Sequence, residues 1–270
     1  MSNTVWSAEG LTQDELMIKD EVILVDNNDN IIGHGSKKDT HIFSPANPRG
    51  QLHRAFSVFL FNDEGKLLLQ QRAAEKITFP NVWTNTCCSH PLHGFSPSEV
   101  DSEDQVAIGN VSGVKAAAIR KLQHELGMTI EDPSKFKYLT RLHYWAADVV
   151  THGPSAPWGE HEIDFILFLR ANPSMTPNPE EVKDVKFVSQ EELRAMMDPS
   201  SGLLWSPWFR IIAEKFLVHW WKDLDRTMGT DDFVDLRTVY RFDPSAEHMG
   251  GAGDAREWLG TAVYQPRLNE

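Results

Sequence analysis

A mixed sheet covered by helices, α/β in the α+β sense, is the fold class that this sequence predicts. Turn-separated strand patterns early in the chain, one strong helical period near its middle, and further strands leading to two more helices carry that reading. Residues 21–26 and 31–33 flank Asn27-Asn28-Asp29-Asn30, and residues 55–61 and 66–71 flank Asn62-Asp63-Glu64-Gly65, so both pairs read as β-hairpins. Helical spacing then places Val114, Ala117, Ala118, Leu122 and Leu126 on one face, with Ser112 as the expected N-cap and Gly127 as the stop. Residues 136–150 and 160–170 read as strands. In the second, Glu160, Glu162 and Asp164 alternate with Ile163, Phe165 and Leu167, which predicts a buried face opposite a carboxylate face. Val182–Val188 adds a strand. Gln190–Met197 follows a Ser189/Glu192 capping box, and a last helix is expected over residues 208–224 behind Pro207.

The 270 residues and 41% hydrophobic content suffice for a sizeable core, which excludes a disordered chain. A net charge of -13 argues against a nucleic-acid surface. No run approaches the roughly 18 apolar residues of a membrane span, and the start has neither a signal-peptide core nor transit-peptide arginines, so a cytoplasmic protein is expected. The two cysteines, Cys87 and Cys88, are adjacent, a poor geometry for a mutual disulfide, and read as thiols. Composition sets the ends apart, giving an N-terminal extension over 1–17, one domain over 18–241 and a C-terminal extension over 242–270.

Chemistry concentrates in a few places. Cys88 stands two residues before His90 in a polar loop, an arrangement for an activated thiol or a metal site, although a structural zinc site asks for more thiolates than one adjacent pair. Cys87 reads as a buried, inert cysteine. Glu160 and Glu162, at i and i+2, can hold a hard cation or divide acid and base roles, or can be solvated charges on a strand edge. His41 and His53 can complete a site with His90 and the glutamates, mixed nitrogen and oxygen ligation that suits zinc, manganese or iron. Arg72 and Lys76, with Lys37, can embrace a diphosphate in an otherwise acidic protein, or lie on a solvated face. The central helix overlays the end of a Nudix box but has Lys121 and His124 where that box has glutamates. Of its helical carboxylates only Glu125 survives, which depletes the hydrolytic machinery and leaves a single candidate cation ligand.

Four segments in this order, Leu52–Phe61, Thr84-Asn85-Thr86-Cys87-Cys88-Ser89-His90-Pro91, Trp158-Gly159-Glu160-His161-Glu162-Ile163-Asp164 and Ser206-Pro207-Trp208-Phe209, resemble the eukaryotic form of type I isopentenyl-diphosphate delta-isomerase over residues 18–241. The resemblance implies a Nudix-like mixed sheet between helices and the interconversion of isopentenyl and dimethylallyl diphosphates. It implies one zinc, manganese or magnesium ion on His41, His53, His90, Glu160 and Glu162, and a second cation, magnesium, bridging the diphosphate to Glu125. Carried over the same way, Cys88 and Glu162 move protons, Lys37, Arg72, Lys76 and the backbone near Ser89 contact the diphosphate, and Tyr144 and Trp208 line the hydrocarbon end. The implied partner is a small diphosphate, with no nucleic acid or membrane, and a monomer is expected. A Nudix-type diphosphate hydrolase is the competing enzyme reading, and a non-catalytic ligand-binding relative the other. No function is assigned to the acidic connector over 92–111, and the Trp258–Tyr264 segment is a candidate cover for the site.

Overall fold

The computed structural model describes residues 4–242, so the expected role of residues 258–264 lies outside the described residues. Ten strands form its sheet: β1 (Glu21–Val25), β2 (Ile31–Ser36), β3 (His53–Phe61), β4 (Leu67–Arg72), β5 (Trp83–Thr84), β6 (Cys87–Ser89), β7 (Phe136–Ala147), β8 (Gly159–Arg170), β9 (Val182–Val188) and β10 (Val239–Phe242). The helices are α1 (Gln13–Lys19), α2 (Lys37–His41), α3 (Glu103–Ala107), α4 (Ser112–Leu126), α5 (Val149–His152), α6 (Gln190–Met197), α7 (Pro207–Ile212), α8 (Val218–Lys222) and α9 (Leu224–Gly229). Sheet order runs β10-β7-β8-β3-β1-β2, with β3 parallel to β8, β10 parallel to β7, and the other pairs antiparallel.

Strand parity sorts the core into two layers, because successive side chains leave opposite faces. Phe56, Val58 and Leu60 of β3 join Ile163, Phe165 and Leu167 of β8 against Val114, Ala118 and Leu122 of α4. Phe59 and Phe61 join Ile166 and Phe168 on the other face, against Trp208, Phe209, Phe216, Trp220 and Trp221 of the C-terminal helices. The sheet is therefore sandwiched between helices, as expected.

Four local expectations change. The hairpin of β3 and β4 pairs only beside its turn, Phe61 with Leu67, since β6 takes the β3 edge at Phe56–Val58 and β4 turns to β5 and β9. Ser112 opens α4 without capping it; instead the buried Asp101 carboxylate accepts from the Gly113 and Val114 amides at 2.7 and 2.9 Å. The final helix is not uniform: between α7 and α8 the residues Ala213–Leu217 form a π-helical segment, and α9 follows a break at Asp223. The strand expected over 136–150 stops at Ala147 and turns into α5, capped by Asp148.

The start of the chain is packed down. Trp6 donates to Asp20 at 2.9 Å and lies 4.8 Å from the Arg120 guanidinium, while Leu16 and Met17 are buried. The acidic connector is structural: Glu99 accepts from Arg120 at 2.6 and 2.8 Å, and the main chain of Asp101 accepts from buried Arg54 at 2.6 Å. No described helix is long and apolar enough to cross a membrane.

Candidate active site and metal centre

One register row organises the site. His53 of β3 faces Glu162 of the parallel neighbour β8, and Glu162 faces Tyr144 of β7, so three side chains stand side by side on one face of the sheet. The strand carrying the glutamates lies inside the sheet between β7 and β3, so the alternative of a solvated strand edge is overturned: Glu160, Glu162 and Asp164 are all buried. His161 points to the opposite face, where its Nε2 lies 3.0 Å from Nε2 of His143. Gly159 lets β8 begin here, because a Cβ would meet Phe43 at 2.4 Å and the Ala146 carbonyl at 2.5 Å.

The structure brings all five expected metal ligands together. His41, His53, His90, Glu160 and Glu162 present donor atoms within 4.8 Å of one another, and every one is buried. Nε2 of His41 is 2.8 Å from Glu160, and Nε2 of His90 is 2.8 Å from Glu162. The Nδ1 atoms of His41 and His53 lie 2.6 and 2.7 Å from the carbonyls of Lys37 and Gln51. Those carbonyls can only accept, which puts the proton on Nδ1 and leaves each Nε2 lone pair turned inward. Nε2 of His53 has no hydrogen-bond partner. A buried ring nitrogen left bare among two carboxylates is costly without a cation, so this group fits a divalent metal ion.

Burial and neighbouring imidazoles push His53 down to about 3 and His90 well below the usual range, which keeps both neutral and able to ligate. Burial, with the charges of Glu160 and Asp164, pushes Glu162 well up. Tyr144 donates to the same carboxylate. Glu160 moves the other way: burial opposes it, but positive charge within the ligand group and the 2.7 Å hydrogen bond from Thr78 hold it below its ordinary value.

The two cysteines part company on β6. Cys87, opposite Val58, is fully buried in the α4-side core, whereas Cys88, opposite Ser57, lines a cavity. That cavity also receives Lys37, Arg72, Lys76, Ser89, Tyr144, Trp208 and the glutamates, which gathers every expected proton carrier and diphosphate contact. Burial raises the Cys88 thiol to about 12, with Arg72 opposing from 3.9 Å. Arg72 is fixed by the carbonyls of Thr78 and Phe79 and lies 5.7 Å over the Trp208 ring, whose Nε1 donates to Asn85 at 3.1 Å.

Glu125 stands apart from the five-ligand group, 3.1 Å from Lys121, 3.6 Å from Lys76 and 3.1 Å from the Gln70 amide. Sequence reasoning missed Glu181, which binds Lys76 and lies 3.7 Å from Lys121, and also Gln13 and Met17, which line the cavity from α1. Nothing local marks these three; they become visible only when the fold brings Gln13 of α1 to Glu181 and Glu181 to Lys121 of α4.

Residues 51–209 match the NUDIX domain. Isopentenyl-diphosphate delta-isomerases from Gibberella zeae and Candida albicans are 46% and 48% identical, over 86% and 84% of this chain and 87% and 81% of their own. The chain belongs to the isopentenyl-diphosphate delta-isomerase family. A member named as chloroplastic, from Arabidopsis thaliana, is 41% identical over 89% of this chain and 82% of its own. In this chain Lys121 and His124 stand where the Nudix box has glutamates, and Glu125 is paired with the Lys121 and Lys76 ammonium groups, an arrangement unlike the carboxylate cluster that hydrolytic metal chemistry requires.

Proposed function

We propose that this chain interconverts isopentenyl and dimethylallyl diphosphates, using Cys88 and Glu162 as its proton carriers. The observation that supports it most is one cavity in which a buried thiol, a buried carboxylate and three basic side chains converge. Shifting the double bond adds a proton to the terminal carbon and removes one from the carbon nearer the diphosphate. The reaction is reversible, so each carrier serves as acid in one direction and as base in the other. The protonated state of the Cys88 thiol and the Tyr144 hydrogen bond to Glu162 suit that exchange. Tyr144 thereby positions the carboxylate, and Lys37, Arg72, Lys76 and Ser89 hold the diphosphate, which is not cleaved. The intermediate is a tertiary carbocation. An indole face stabilises such a cation by about 2 kcal/mol when dry, and the buried Trp208 ring is the candidate.

His41, His53, His90, Glu160 and Glu162 would hold zinc, manganese or magnesium, whose charge would lower the Glu162 carboxylate's affinity for its proton. A second cation at Glu125 depends on the substrate, because Lys76 and Lys121 already neutralise that carboxylate and only a diphosphate adds the negative charge a magnesium ion needs. The protein acts as a monomer in this reading, with the proton carriers and the diphosphate contacts all supplied by one chain.

The test is incubation of metal-supplemented protein with isopentenyl diphosphate in deuterated water, followed by NMR. Deuterated dimethylallyl diphosphate without phosphate release is expected. Phosphate release without isomerisation would establish the hydrolase reading instead.

A further inference from the structure

We propose a second metal site, on the surface, formed by Glu21, His34 and His93, a donor set that suits a borderline divalent ion such as zinc. Glu21 opens β1, His34 sits on the partner strand β2 opposite Ile23, and His93 lies three residues beyond the buried ligand His90. Their donor atoms all fall within 4.8 Å of one another. Nδ1 of His34 is 3.0 Å and Nδ1 of His93 is 3.6 Å from the same carboxylate oxygen, Oε2 of Glu21.

Those spacings have a specific meaning. Zinc–nitrogen and zinc–oxygen bonds of about 2.0–2.2 Å place neighbouring donors of a tetrahedron about 3.3 Å apart, between the two observed separations. A carboxylate and two imidazoles are three zinc ligands, and water supplies the fourth. The imidazoles lie face to face, with centroids 3.9 Å apart and planes within 4°. Their lone pairs lie in the ring planes, so ligation requires the rings to fan apart by rotation about χ2, which side chains 44% exposed are free to do.

The backbones beneath are already fixed. Glu21 and His34 belong to a paired ladder, the His93 amide donates to the Glu21 carbonyl at 2.8 Å, and Leu92 bridges to Val22. No lysine or arginine pairs with the Glu21 carboxylate among the described residues, so its only ion-pair partners there are the two imidazoles that would share the metal. An ion held here would tie the β1–β2 hairpin to the segment that carries His90.

The experiment is equilibrium dialysis of the full chain against zinc, with bound metal measured by mass spectrometry. Wild type is expected to retain about two ions per chain, one in each group, and His34→Ala/His93→Ala about one, with isomerase activity unchanged. His53→Ala, in the buried centre, is expected to lose activity and to keep the surface ion. Equal zinc content in wild type and His34→Ala/His93→Ala overturns the proposal, as does a His53→Ala protein that holds no zinc. Histidine NMR provides an independent reading: zinc should shift the His34 and His93 imidazole signals in wild type, and unshifted signals at saturating zinc also overturn it.

Discussion

Truncating the two adjacent thiols one at a time separates packing from chemistry. Cys87 is fully buried against the α4-side core, so Cys87→Ala removes one sulfur's worth of contact and leaves a small void, at a cost of about 1–2 kcal/mol. Against a typical stability of about 5–15 kcal/mol that leaves the chain folded and turnover largely intact. Cys88 borders the cavity on the opposite face of β6, only partly buried, with the Arg72 guanidinium 3.9 Å away and the edge of the apolar cluster beside it, so Cys88→Ala costs no more stability than Cys87→Ala. Losing a positioned proton carrier instead lowers turnover by about 10²–10⁴-fold. Initial rates of deuterium incorporation, measured beside thermal unfolding and metal content, read the two effects separately. Metal content should stay at the wild-type level in both, because neither thiol is among the five ligands. Equal loss of turnover in the two variants, or Cys88→Ala retaining more than about a tenth of wild-type turnover, would refute the assignment.

Trp208→Phe should retain measurable turnover and Trp208→Ala should lose about 30-fold more, the equivalent of about 2 kcal/mol of cation–π stabilisation; similar rates would remove the indole face from the mechanism. Asp101→Ala should destabilise the fold by about 2 kcal/mol or more in urea unfolding, because two buried amides of α4 lose a carboxylate acceptor; an unchanged midpoint would show that water replaces it. Prolonged chelation should abolish isomerisation and raise susceptibility to unfolding, with both restored by manganese or zinc, since four charged or polar donors would otherwise converge on the bare Nε2 of His53.

Much of this was legible from local pattern. The alternation of Glu160, Glu162 and Asp164 with Ile163, Phe165 and Leu167 specified two chemically different faces for that stretch of strand, and the spacing of Val114, Ala117, Ala118, Leu122 and Leu126 specified one helix face, because side-chain direction follows backbone geometry over a few residues. The ligand types and the thiol near His90 were likewise visible, as was the replacement of helical glutamates by Lys121 and His124. Pairing over long separations was not. That β3 adjoins β8, and so that His53 stands beside Glu162, depends on a pairing that spans more than a hundred residues; the arrival of Glu181 at Lys121 and of α1 at the cavity are non-local as well. The same holds for the cap of α4, where Asp101 reaches amides 12 and 13 residues ahead and displaces the local candidate Ser112. Sequence determined the chemistry each segment can offer and the face that offers it; tertiary structure decided which offers meet, because strand register and helix docking are settled by burial summed over the whole core.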